Sequence, residues 1–205
     1  DARAKADALI GIGLYLPENE RIALLSNVLP LVSDVKKADE KNRILLELMP
    51  YLTKVERKYA LEAAYRATQY VDNQRKRVRA LTRLIEYSIG ENFQLMLEQT
   101  LTEARKIQFA YDRAKALTEI LPYLSGKKRE LVLAEALTAA RKAAAYWRAV
   151  AFAELPLLVS EGERCETLEE ALEGARKHEL AFVRAKSLTQ LAHQMPESEG
   201  MPVLN

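Results

Sequence analysis

One cysteine and two histidines are all that this chain of 205 residues holds of the side chains most used for covalent, redox and metal chemistry. A lone Cys165 excludes an intrachain disulfide and makes a reducing, cytoplasmic setting the natural expectation. His178 and His193 stand apart, and no H-E-x-x-H, C-x-x-C or G-x-S-x-G run occurs. Glycine is scarce, at seven residues. Gly11 and Gly13 form a G-x-G, but without a third glycine or a preceding strand pattern it is no phosphate loop. Close helix packing is the expected role. Cys165, early in a predicted helix, reads as an ordinary cysteine in preference to a low-pKa thiol at a helix start.

Long apolar runs are also missing. No stretch of about 18 apolar residues appears, so no membrane-spanning helix is expected. The first residue is Asp1, inside a helical pattern and without a signal-peptide pattern, which suggests a piece of a longer chain. Charge of one sign is lacking too: 31 basic against 29 acidic residues leave +2. A general nucleic-acid binder usually carries a stronger basic excess, so nucleic acid is not the favoured partner. The carboxylates are many but scattered, and no acid–base pair emerges. The chain is therefore expected to be non-enzymatic, with no cofactor or metal.

What is present is repetition. Tyr15, Tyr51, Tyr87 and Tyr123 are spaced by 36 residues, as are Leu25, Leu61, Leu97 and Leu133, with Leu168 following after 35. A basic column, Lys5, Lys41, Arg77, Arg113, Arg148 and Arg184, keeps the same period with one 35-residue step. That step arises from a residue missing just before Pro156 relative to Pro122. Each unit reads as two helices. Helix A of the fourth unit places Ala116, Leu117, Ile120, Leu121 and Leu124 on one face. Helix B offers Leu131, Ala134 or Ala136, Leu137 and Ala140 for burial. In the first unit, Leu9, Ile12 and Leu16 fill the apolar positions. Thr53 with Glu56 and Ser160 with Glu163 fit capping boxes opening a helix B. Ser125 can cap alone. Pro50, Pro122 and Pro156 should end or bend helix A, and Pro30 should make the first helix B irregular.

A hairpin of this length cannot bury its own apolar face, so stacked neighbours must bury it for one another. The expectation is an all-α fold: a right-handed α-solenoid of about five and a half 36-residue hairpins. It forms a single domain over 1–194 with repeats starting near 5, 41, 77, 113, 148 and 184, followed by a tail, 195–205. The last half-unit leaves an open end for Met201, Val203 and Leu204, or another chain, to cover.

The phrase RAxALxxLxPYL…EALxxARxxxxxxRAxAL, read from units such as Arg113–Leu124, resembles tetratricopeptide-like and HEAT-like helical repeats. Ala136, Ala140 and the pairs Ala104-Arg105, Ala140-Arg141 and Ala175-Arg176 fit that style, whereas the W-x-x-L-G-x-x-Y core is missing. It is also similar to degenerate arrays in large bacterial signalling proteins of the STAND type. The resemblance implies a binding, sensor or scaffold module.

Two basic sets bear on binding. The column from Lys5 to Arg184 faces helix N-termini, against the macrodipole. It pairs either with helix B carboxylates such as Glu62, Glu98, Glu135 or Glu169, or forms a cation ladder with a spacing of about 10 Å for an acidic peptide or phosphate backbone. The second set, Arg43, Arg79, Lys115 and Lys186, sits at the third position of helix A. Arg43 has Glu47, and Lys115 has Glu119, four residues on; Arg79 with Arg83 has no such neutralisation, and Glu86 lies one turn further. Arg43, Arg79, Arg83, Lys115 and Lys186 are thus the candidate partner-binding residues on a concave helix A surface. The tyrosine column reads as packing. Tyr111, Tyr146, Trp147 and Phe182 read as wedges between hairpins or as a stacking platform. The expected function is a scaffold or sensor holding a protein or peptide segment. The alternatives are a nucleic-acid reader using the basic column, or self-assembly into a homo-oligomer through the open C-terminal face.

Overall fold

The computed structural model describes residues 1–143, 169–170, 172–176 and 180–192, and among these every regular element is helical. The chain divides into two compact units, Asp1–Glu103 and Ala104–Asn205.

In the first unit, α1 (Ala2–Gly13) and α2 (Glu18–Ser26) are followed by a 3-10 segment, Leu29–Asp34. Then come α3 (Ala38–Leu48), α4 (Lys54–Thr68), α5 (Gln74–Ile85) and α6 (Gly90–Arg105), the last of which runs across the boundary between the units. Pro30 lies at the start of the 3-10 segment, which replaces the α-helix expected there. Neighbours in sequence pack together: α1 on α2, α3 on α4, α4 on α5. Helices one step further apart also meet, α1 with α3 and α3 with α5. Ile44, Leu45, Leu48 and Met49 of the α3 strip, with Val78, Leu81, Leu84 and Ile85 of α5, are at most 1% exposed and form much of the core. Burying side chains of this size contributes roughly 1.5–3 kcal/mol each before ordering entropy is counted.

In the second unit, α7 (Ala110–Ile120) packs on α8 (Gly126–Lys142). A further helix, α9 (Ala181–Ala192), is described mainly through its backbone. Ala116, Leu117, Ile120, Leu121 and Leu124 are all buried, as the spacing requires. The α8 face is rotated from expectation. Val132, Leu133, Ala136, Ala139 and Ala140 face the core, whereas Leu131 is 64% exposed and Ala134 is also exposed. The buried stripe is built largely of small residues, Ala136, Ala139 and Ala140, and the bulkier Leu131 lies outside it.

The prolines act as their chemistry dictates. Pro50 and Pro122 each sit in a 3-10 turn, Met49–Tyr51 and Leu121–Tyr123, that terminates α3 and α7. Entry into the following helix uses two devices. At α4, Thr53 accepts from the Glu56 amide while the Glu56 carboxylate accepts from the Thr53 amide at 2.9 Å, a complete capping box. At α6 and α8 the first residue is a glycine in the left-handed region, Gly90 at φ +59° and Gly126 at φ +54°. Ser125 makes no side-chain cap.

The first unit's α1 departs from the expected register. Its buried residues are Ala6 and Gly13, so Ile12 faces solvent and Tyr15 is 92% exposed. Gly13 matters because a Cβ there would meet the Leu25 side chain of α2 at 3.0 Å; Gly11 has open space around it. Close packing thus belongs to Gly13 alone. Tyr51 and Tyr87 are half-buried, and Arg21 Cζ lies over the Tyr51 ring, 5.9 Å from the ring centroid. Phe182 is exposed rather than wedged. Arg148, Tyr146, Trp147, Pro156, the Ser160–Glu163 box, Cys165, Leu168, His178, His193 and the tail lie outside the described residues. Among the described residues no helix is long and apolar enough to cross a membrane.

Candidate interaction site between α3 and α5

The basic column is tied to backbone. Lys41 donates from Nζ to the Ser33 carbonyl at 2.9 Å, Arg77 from Nε and Nη2 to the Val71 carbonyl at 3.0 and 2.8 Å, and Arg113 from Nη1 to the Ile107 carbonyl at 2.9 Å. Each cation closes the turn that leads into its own helix, satisfying a carbonyl left over as the preceding segment ends. The column is therefore structural for these three residues, but its partners are turn carbonyls rather than the helix B carboxylates expected. Only Arg77 adds a carboxylate, Glu103 at 3.3 Å. Glu135 instead receives a two-pronged contact from Arg105, at 2.9 Å on each oxygen, and Glu170 one from Arg141 at 3.0 and 2.7 Å. Glu62 pairs with Arg66.

The third-position set behaves differently. Arg43, Arg79 and Arg83 line one groove between α3 and α5, of about 360 Å³, together with Asp39, Asn42, Leu46, Glu47, Val71, Lys76 and Ala80. Asn42, only 2% exposed, is fixed by donating to the Ala64 carbonyl of α4 at 2.8 Å. Leu46 and Val71 are buried and supply an apolar floor.

Two of the four cations are already engaged. Arg43 donates to Asp7 at 2.6 Å and to both oxygens of Glu47, at 3.0 and 3.1 Å. Hydrogen bonding to Arg43 holds the Asp7 carboxyl below its ordinary range, and the same bond raises Arg43. Lys76 reaches Asp39 at 3.0 Å, and that bond lowers the Asp39 carboxyl likewise. Arg79 and Arg83 differ. Both are exposed, and neither has an ion-pair or hydrogen-bond partner among the described residues. They sit one turn apart on α5, where like charges oppose each other by a few tenths of a kcal/mol.

Of the remaining candidates, Lys115 is half-buried on α7 in the second unit, and the Lys186 side chain lies outside the described residues. Lys76 and Asn42 belong to the groove but were not singled out by periodicity. The available signal was local: the stretch QRKRVRALTRLI carries five cations and no carboxylate. A second groove, of about 490 Å³, is continuous with the first through Asp39, Val71 and Lys76, and adds Lys36, Lys37 and Tyr70.

Fold and site together define an all-α protein of consecutively packed helices with a cation-lined groove in its first unit. No protein-family model matches the sequence, and no curated protein matches it either.

Proposed function

We propose that the chain is a non-enzymatic interaction module, an α-solenoid of 36-residue hairpins whose helix A surface holds a segment of a partner protein. The observation that carries the reading is the α3–α5 groove, where Arg79 and Arg83 stand unpaired above the buried Leu46 and Val71. Two exposed like charges on one helix turn contribute nothing to stability, so their place in a groove favours recognition. The repeat reading draws support from the ion pairs that link helices one hairpin apart: Arg43 with Asp7 is 36 residues distant, and Arg3 with Glu40 and Lys76 with Asp39 are each 37. A preformed groove lowers the ordering cost of binding an extended segment. A scaffold or sensor in a cytoplasmic signalling protein is a setting in which such a module serves.

The test is selection of binders from a random peptide library displayed on phage, with the 205-residue chain as bait. Selected peptides should lose binding to Ala80→Trp, which fills the groove, and keep it with Leu95→Glu on the exposed side of α6. Peptides that bind both variants like the parent would overturn the reading.

A further inference from the structure

We infer that the α3–α5 groove takes an extended acidic segment, with two side-chain carboxylates two residues apart seated on Arg79 and Arg83. The inference rests on the interaction-module reading and specifies its partner chemistry.

The argument is charge complementarity along a continuous surface. Four cations and two carboxylates line the first groove. The carboxylates, Asp39 and Glu47, are bound to Lys76 and Arg43. What an incoming chain meets is the remainder: Arg79 and Arg83 in the first groove, and Lys36 with the carboxylate Asp72 in the second, all exposed and without an ionic partner among the described residues. Residues one turn apart on a helix have Cβ atoms about 6 Å apart. Alternate residues of an extended strand lie roughly 6.5 Å apart on one face. A carboxylate at every second position therefore matches the two guanidiniums in register, and each guanidinium can donate to both oxygens of its carboxylate. From Lys76 to Arg83 the helix advances roughly 10 Å, the reach of three extended residues.

The same pattern disfavours a nucleic-acid strand. Asp72, exposed and without an ionic partner among the described residues, lines the second groove with Lys36, and a continuous phosphate backbone running through both grooves cannot step around it. A peptide can place its charges on alternate residues only. The net charge of +2 offers no broad field for phosphate either.

The experiment is fluorescence anisotropy of the full chain with a labelled peptide of alternating aspartate and threonine, its asparagine twin, and an oligothymidylate of similar length. The aspartate peptide should bind about tenfold or more tightly than its twin. The double variant R79Q/R83Q should lose that preference, while Lys58→Gln, an exposed cation on α4, should retain it. Circular dichroism will show whether each variant is folded, and both arginines are exposed and unpaired, so folding should be unchanged. Equal binding of the two peptides, an undiminished affinity in R79Q/R83Q, an equal loss in K58Q, or tighter binding of oligothymidylate would each overturn the inference. Failure of the aspartate peptide alongside uncharged library peptides blocked by Ala80→Trp would overturn this chemistry and leave the interaction module standing. Library peptides indifferent to Ala80→Trp would remove both.

Discussion

Arg77 and Arg79 are two residues apart on α5 and do different things. Arg77 gives two hydrogen bonds to the Val71 carbonyl and one to Glu103, whereas Arg79 stands in solvent. Arg77→Gln should cost about 1–3 kcal/mol in urea denaturation, because the Val71 carbonyl loses both hydrogen bonds from Arg77 and Glu103 loses one of its contacts. Arg79→Gln should stay within about 0.5 kcal/mol of the parent. The same contrast separates two leucines. Leu117 is 1% exposed and Leu131 faces solvent. Leu117→Ala should cost about 2–5 kcal/mol, and Leu131→Ala about 0.5 kcal/mol or less. Sequence spacing was sufficient for Leu117, because its helix presents one dense apolar stripe. It failed at Leu131, because α8 has apolar residues around much of its circumference, so spacing alone does not say which of them face the core. Arg79 and Arg83 were legible as cations without a local carboxylate. The pairing of Arg43 with Asp7 was not, since it joins residues on different helices.

At the scale of elements, the turns carry the specificity. Gly126 opens α8 at positive φ, so Gly126→Ala should destabilise by roughly 1–2 kcal/mol even with open space around the new methyl. The α3–α4 turn achieves the same entry with Thr53 and Glu56. Thr53→Ala should cost about 1 kcal/mol by thermal denaturation. It should also change the acid limb. The Thr53 hydroxyl, then its amide, hold Glu56 below the ordinary glutamate value. A lowered carboxylate stabilises the fold above its unfolded-state pKa, and that contribution disappears as pH falls through the folded value. The parent should therefore lose stability between the ordinary glutamate range and lower pH more steeply than Thr53→Ala does. Stability curves of equal slope for the two proteins would exclude the box as the cause. The proline stops at Pro50 and Pro122 were readable in advance because a missing amide proton acts locally. The rotated face of α1 was not, since it depends on Gly13 meeting Leu25 on another helix.

For the molecule as a whole, near-neutral total charge and locally unbalanced charge have to be considered together. Seven cations hold the fold, as turn closures at Lys41, Arg77 and Arg113 and as helix-to-helix pairs at Arg43, Lys76, Arg105 and Arg141. At Arg79 and Arg83 two unpaired cations share one groove, and these are what a partner can use. Hydrogen–deuterium exchange of the full chain, with and without the alternating aspartate peptide, tests this most directly because it assumes no site. Slowed exchange in α3, α5 and the turn holding Lys36 is the predicted result. Slowing confined to α4 or α6, or none at saturating peptide, would contradict it.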